Sequence, residues 1–101
     1  MHKSNRKQLP AVIERVFAAR LSGAKTREDL LRLDISDEEI AAAKPGVDAK
    51  IAALESQVFD AWLRGARKEP DYLGAGFSAE ELALASPGVA RRVRETEQVA
   101  A

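Results

Sequence analysis

The chain has no cysteine, one histidine, and five aromatic residues (three Phe, one Trp, one Tyr) among its 101 residues. Without cysteine there is no disulfide and no thiolate metal site. The one histidine, His2, stands in a basic stretch at the start of the sequence. A zinc site would then need several carboxylates, an unusual ligand set. No histidine is placed to activate a serine for nucleophilic attack. Gly74-Ala75-Gly76 is too short, and follows no strand pattern, to be a phosphate-cradling loop. No catalytic residue, cofactor or metal is therefore expected. No apolar run approaches the roughly 18 residues of a membrane span, so no membrane partner is expected either. His2-Lys3-Ser4-Asn5-Arg6-Lys7 is basic, but no apolar core of a secretory signal follows it. A cytoplasmic protein is the expectation.

Formal net charge is zero, which removes any global field toward nucleic acid or a membrane surface. The charge is nevertheless uneven. Residues 1–28 carry seven Lys/Arg against two Asp/Glu, residues 29–60 three against eight, and residues 61–101 six of each. A basic arm precedes an acidic middle.

What the chain does have is an internal repeat of 42 residues, with residues 11–59 lying over 53–101. Ile35-Ser36-Asp37-Glu38-Glu39-Ile40-Ala41-Ala42-Ala43-Lys44-Pro45-Gly46-Val47 lies over Phe77-Ser78-Ala79-Glu80-Glu81-Leu82-Ala83-Leu84-Ala85-Ser86-Pro87-Gly88-Val89. Val16-Phe17, Leu21 and Gly23-Ala24 lie over Val58-Phe59, Leu63 and Gly65-Ala66. A fixed period of this size marks a repeated supersecondary unit.

No segment shows the alternation of a strand, and most read as helix. Leu9, Val12, Ile13, Val16, Phe17 and Leu21 make one apolar face of a first helix starting near Leu9, with Pro10 in its first turn. Gly23 suits its left-handed terminus. Thr26, with Asp29 three positions on, opens a short second helix. Ser36 with Glu39 is a capping box for a third. Pro45-Gly46 is expected to end that helix. The second copy repeats the plan. Ile51, Leu54, Val58, Phe59, Trp62 and Leu63 form the apolar face, and Glu69–Gly76 is a single turn or a loop. Ser78 with Glu81 is a second capping box, and Pro87-Gly88 closes the unit. A partial capping helix follows from Val89. The expected fold is all-α: a flexible basic arm over 1–8, then one domain over 9–101. That domain divides into repeats of about 9–46 and 47–88, each with three helices, and a last helix over 89–101.

Positions alike in both copies are read as structural. Positions that change chemistry are the candidates for function. Trp62 stands where the first copy has Arg20, Glu55 where it has Ile13, and Tyr72 where it has Leu30. Trp is enriched at partner hot spots. Arg20 and Glu55 each bring a charge into an otherwise apolar arc, and an antiparallel packing of the two A-type helices would bring them together. Trp62, Tyr72, Arg20 and Glu55 are the expected partner-binding residues, for a protein partner or self-association. The carboxylates of Asp37-Glu38-Glu39 and Glu80-Glu81 stand at helix starts, where they meet the helix dipole.

Residues 26–40 and 68–82 resemble the helix-turn-helix module in local spacing, with Asp34-Ile35-Ser36 and Gly76-Phe77-Ser78 at the turns. The resemblance implies a recognition helix whose first turn meets the duplex. Here that turn is acidic in both copies. The alternative reading is a DNA-binding protein using Lys3, Arg6, Lys7, Arg91, Arg92 and Arg94, with these units as scaffold. The leading expectation is a non-catalytic protein-interaction or regulatory module.

Overall fold

In a computed structural model the backbone is described for residues 2–100 and the side chains for residues 8–98. Five helices follow one another: α1 His2–Leu21, α2 Arg27–Arg32, α3 Asp37–Leu63, α4 Glu69–Gly74 and α5 Ala79–Ala100. There is no strand among the described residues. None of these helices is long and apolar enough to cross a membrane. Packing divides the chain into two compact units, Met1–Lys50 and Ile51–Ala101. The division falls inside α3, beyond the Gly46/Val47 boundary expected from sequence.

The helix ends recur at the sequence period. Leu21 and Leu63 end α1 and α3, Arg27 and Glu69 begin α2 and α4, and Asp37 and Ala79 begin α3 and α5, each pair 42 residues apart. The local chemistry explains why. Ser36 and Ser78 accept from the N–H groups of Glu39 (3.2 Å) and Glu81 (3.1 Å), whose carboxylates accept from the serine N–H groups at 3.0 and 2.8 Å. Two of the free amides at each helix start are thereby satisfied. Thr26 and Asp29 form the same reciprocal pair at the start of α2. Lys68 replaces Thr26 at the start of α4, and an ammonium cannot accept a hydrogen bond. There Asp71 alone caps, taking the N–H groups of Arg67 (3.0 Å) and Lys68 (3.1 Å). With Pro70 in the first turn, where its missing N–H costs nothing, this is enough for a six-residue helix.

The C-terminal ends of α2 and α4 share one geometry. Ile35 and Phe77 donate back to the carbonyls of Leu30 (3.2 Å) and Tyr72 (3.2 Å) across a residue of positive φ. That residue is Asp34 at 64° in the first unit and Gly76 at 107° in the second.

Two sequence expectations are corrected. The helical backbone of α1 begins at His2, not near Leu9. Lys, Arg and Gln are good helix formers, and Pro10 sits inside the helix. Pro45-Gly46 and Pro87-Gly88 also do not end their helices: α3 and α5 run through them. A proline deletes one hydrogen bond and crowds the preceding turn, but packing holds the path. Ala43 and Val47, 0% and 2% exposed, flank Pro45 on the buried face, as Ala85 and Val89 flank Pro87. Gly46 lies so close to Ile13 that a β-carbon there would collide with it, and Gly88 lies equally close to Glu55. These glycines serve close approach, not a turn.

The core of the first unit is Val12, Val16, Ala19, Leu30, Ile35, Ala43 and Val47. That of the second is Leu54, Val58, Ala85 and Val89. Each of the larger aliphatic side chains contributes roughly 1.5–3 kcal/mol by leaving water.

Ser36→Ala and Ser78→Ala are each expected to lower stability by about 0.5–2 kcal/mol. Urea melts read it, and unchanged midpoints for both would show the caps to be idle. Asp34→Gly should raise stability by no more than about 1 kcal/mol, because glycine takes positive φ without the β-carbon strain. Gly76→Asp should lower it. The same melts check the sign, and a fall for Asp34→Gly would mean that the Asp34 side chain offsets its own backbone strain.

Candidate functional site

In the second unit Trp62 and Tyr72 share one groove of about 500 Å³, with Val58, Leu82, Val89 and Val93 along its floor. Glu69 and Arg94, of opposite charge, lie at its edges. The lining is helical. Val58 and Trp62 lie one turn apart on α3. Tyr72 comes from α4, and Leu82, Val89 and Val93 from α5.

Trp62 is a held residue. Its ring stacks on Phe59 at 5.7 Å and 13°. The Arg67 guanidinium covers it at 4.4 Å and donates to the Trp62 carbonyl at 2.7 Å. Such a cation over an indole face is worth about 0.5–1 kcal/mol at exposed sites. Tyr72 spends its hydroxyl on the Ala66 carbonyl at 3.2 Å, so the ring presents carbon to the groove. Both side chains remain half-buried.

The first unit has the equivalent groove, about 200 Å³, lined by Val16, Arg20, Leu30, Ile40 and Val47. Arg20 stands where Trp62 stands, and its Nε is buried without a hydrogen-bond partner. Its neighbours include Lys25, Arg27 and Lys44. Arg27 pairs with Asp37 (Nη2 to Oδ2, 2.7 Å) and Lys44 with Asp48 (2.8 Å). Of the expected partner-binding residues, the structure thus brings Trp62 and Tyr72 together and puts Arg20 in the matching groove of the other unit.

Glu55 belongs to neither groove. It lies against Gly88, with Arg92 3.7 Å from its carboxylate, so its charge finds a partner inside the second unit. Arg92 also donates to Ser56 at 2.8 Å. Lys50, at the corresponding place in the first unit, meets Glu14 at 2.8 Å and lies over Phe17 at 5.8 Å. Arg92 is thus committed within the fold, Arg94 edges the apolar groove, and Arg91 is exposed. Lys3, Arg6 and Lys7 lie outside the residues whose side chains are described.

A second surface of each unit was not singled out from sequence. In the first, Arg15 crosses from α1 to the Leu33 carbonyl (3.4 Å) and the Glu39 carboxylate (3.9 Å). In the second, Gln57 occupies that place beside an open groove of about 740 Å³ that includes Asp60, Asp71, Phe77 and Glu81. The signal was present in the repeat: Arg15/Gln57, Ala18/Asp60 and Ile35/Phe77 also differ between the copies.

Four carboxyls of these surfaces are held below their ordinary range. Backbone N–H groups of Lys25 and Thr26 do this for Asp29, and those of Arg67 and Lys68 for Asp71. The Ser36 N–H does it for Glu39, and the Arg27 side chain for Asp37. The chain matches no protein-family model, and neither a curated protein nor a solved structure is similar to it.

Depressed carboxyl pKa values mean that the folded state binds these protons less readily than the unfolded chain. Their contribution to stability is complete above the ordinary carboxylate range of about 4. It is lost as pH falls through the folded values. The melting temperature should therefore hold between about pH 7 and 5 and fall below about pH 4. The Asp29→Asn, Asp71→Asn double variant should show a shallower acid limb. An acid limb identical to that of the parent protein would remove the caps as its cause.

Proposed function

We propose that the chain is a non-catalytic protein-interaction module built as a tandem repeat of two three-helix units. The groove of the second unit takes the apolar side chain of a partner protein. The carrying observation is the change of one groove between the units. Arg20 and Leu30 become Trp62 and Tyr72, and the space grows from about 200 to about 500 Å³. A rigid aromatic pair on an apolar floor is the chemistry of interface anchors. Glu69 and Arg94 at the edges favour a segment that flanks its apolar anchor with one basic and one acidic residue.

The carboxylates favour binding over catalysis. Asp29, Asp71 and Glu39 are engaged in caps, with pKa values moved away from neutrality. A general acid or base works best with its pKa near the working pH. The DNA-binding alternative loses support at Arg92, which is spent on Glu55 and Ser56, and at the acidic first turns of α3 and α5.

The test is cross-linking capture from the source cells with the parent protein and with Trp62→Arg, which restores the residue of the first unit. Direct titration of each captured protein follows. At least one partner should bind the parent and lose roughly thirtyfold or more in affinity with Trp62→Arg, the effect of a 2 kcal/mol hot spot. The melting transition should remain cooperative. Partners that bind both proteins equally, or sequence-selective DNA binding tighter than about 10⁻⁷ M at physiological salt, would overturn the reading.

A further inference from the structure

We infer that the open groove of the second unit, bounded by Gln57, Ala75, Phe77 and Glu81, is a receptor for an arginine side chain carried by a protein segment. It lies on a different face from the Trp62 groove, and the inference holds whether or not that groove binds a protein. The carrying observation is in the first unit, where the same surface already holds an arginine. The guanidinium of Arg15 reaches the Leu33 carbonyl at 3.4 Å and Glu39 Oε2 at 3.9 Å. The backbone around those acceptors recurs in the second unit. Ala75 follows α4 as Leu33 follows α2, and Glu81 caps α5 as Glu39 caps α3. Glu81 uses Oε1 for Ser78, as Glu39 uses Oε1 for Ser36, which leaves Oε2 to face a guest.

Three substitutions between the copies then change this lining in favour of a cation, against two that oppose it, Ser22 to Arg64 and Asp34 to Gly76. Arg15 becomes Gln57, and the groove, about 350 Å³ beside Ala19, Asp29 and Leu33 in the first unit, is about 740 Å³ in the second. Ala18 becomes Asp60, which adds a carboxylate to the lining. Ile35, 2% exposed, becomes Phe77, half-buried and lining the groove, which adds a ring edge or face for a cation. Asp60, Asp71 and Glu81 supply three negative charges to the lining, and Arg64, paired with Asp60 at 3.0 Å, supplies the one positive charge. The balance favours a cationic guest. A planar guanidinium can meet a carbonyl and a carboxylate together and stack on a ring, which a compact ammonium does less well.

The repeat supplies both arms of the test. Capped arginine (N-acetyl-arginine amide) is titrated into isotope-labelled protein at low salt, beside capped lysine and the uncharged isostere capped citrulline. Capped arginine should shift the amide resonances of Ala75, Phe77 and Glu81 saturably. Capped lysine should bind more weakly, and citrulline should not bind. Gln57→Arg should refill the groove from within and weaken the capped arginine by at least about tenfold, or 1.4 kcal/mol. Arg15→Gln should open the first unit and add a second saturable set at Leu33, Ile35 and Glu39. Absence of saturable shifts in the parent protein would overturn the inference. So would equal binding of citrulline or lysine, unchanged binding in Gln57→Arg, or no second set in Arg15→Gln. None of these readouts involves Trp62, so failure here and failure of the interaction reading are distinguishable.

Discussion

In both units a side chain is seated against a helical glycine: Ile13 on Gly46, Glu55 on Gly88. That contact fixes how closely the helices approach, and other features follow from it. The glycine must be helical, so the preceding Pro45 or Pro87 must lie inside a helix despite the hydrogen bond it removes. The continuing helix then carries a cation one turn beyond the glycine. Lys50 reaches Glu14, and Arg92 reaches Ser56 and Glu55. The apolar seat can therefore become a carboxylate in the second unit without leaving a charge alone. A half-buried Glu55 with no cation beside it would be costly.

Much of the helical framework is legible in the sequence because its signals are local. Ser-x-x-Glu satisfies free amides within four residues, and the structure places α3 and α5 accordingly. The end geometry after α2 and α4 is equally local, although only Gly76 advertises it. Asp34 takes the same left-handed turn with a residue that merely tolerates it. The Pro-Gly elements misled because their meaning is not local. The same dipeptide ends a helix in isolation and continues it when an Ile13 is packed against the glycine, and nothing within four residues says which. The α1 start was displaced for a related reason: Pro10 is most comfortable in a first turn, yet the residues before it are good helix formers.

The grooves were partly legible. Comparing the copies picked out Trp62, Tyr72, Arg20 and Glu55 because they interrupt or enlarge an apolar face. Two of the four share a groove, and Arg20 marks its counterpart. Glu55 lies in neither groove, and the sequence pattern did not show that Arg92 stands beside it within its own unit. Gln57 and Asp60 escaped notice because a polar residue on a polar face breaks no pattern, and Phe77 was read only as the turn residue aligned with Ile35. Their significance depends on Arg15 bridging to a carbonyl eighteen residues away, a long-range contact that periodicity does not report.

Each unit thus acts as a control for the other. Backbone groups that build the caps are the same in both, so their chemistry is tied to folding. Around one cap the second unit loses Arg15 and Asp34 and gains Asp60, Arg64 and Phe77, while the acceptors of the first unit persist. In the other groove it loses a cation and gains two aromatic rings. The copies also differ outside the two grooves, at Glu14/Ser56 and Asp37/Ala79 among others, so it is the position of a change in a groove, not its occurrence, that carries weight. Both grooves are larger in the second unit, about 500 against 200 Å³ and about 740 against 350 Å³.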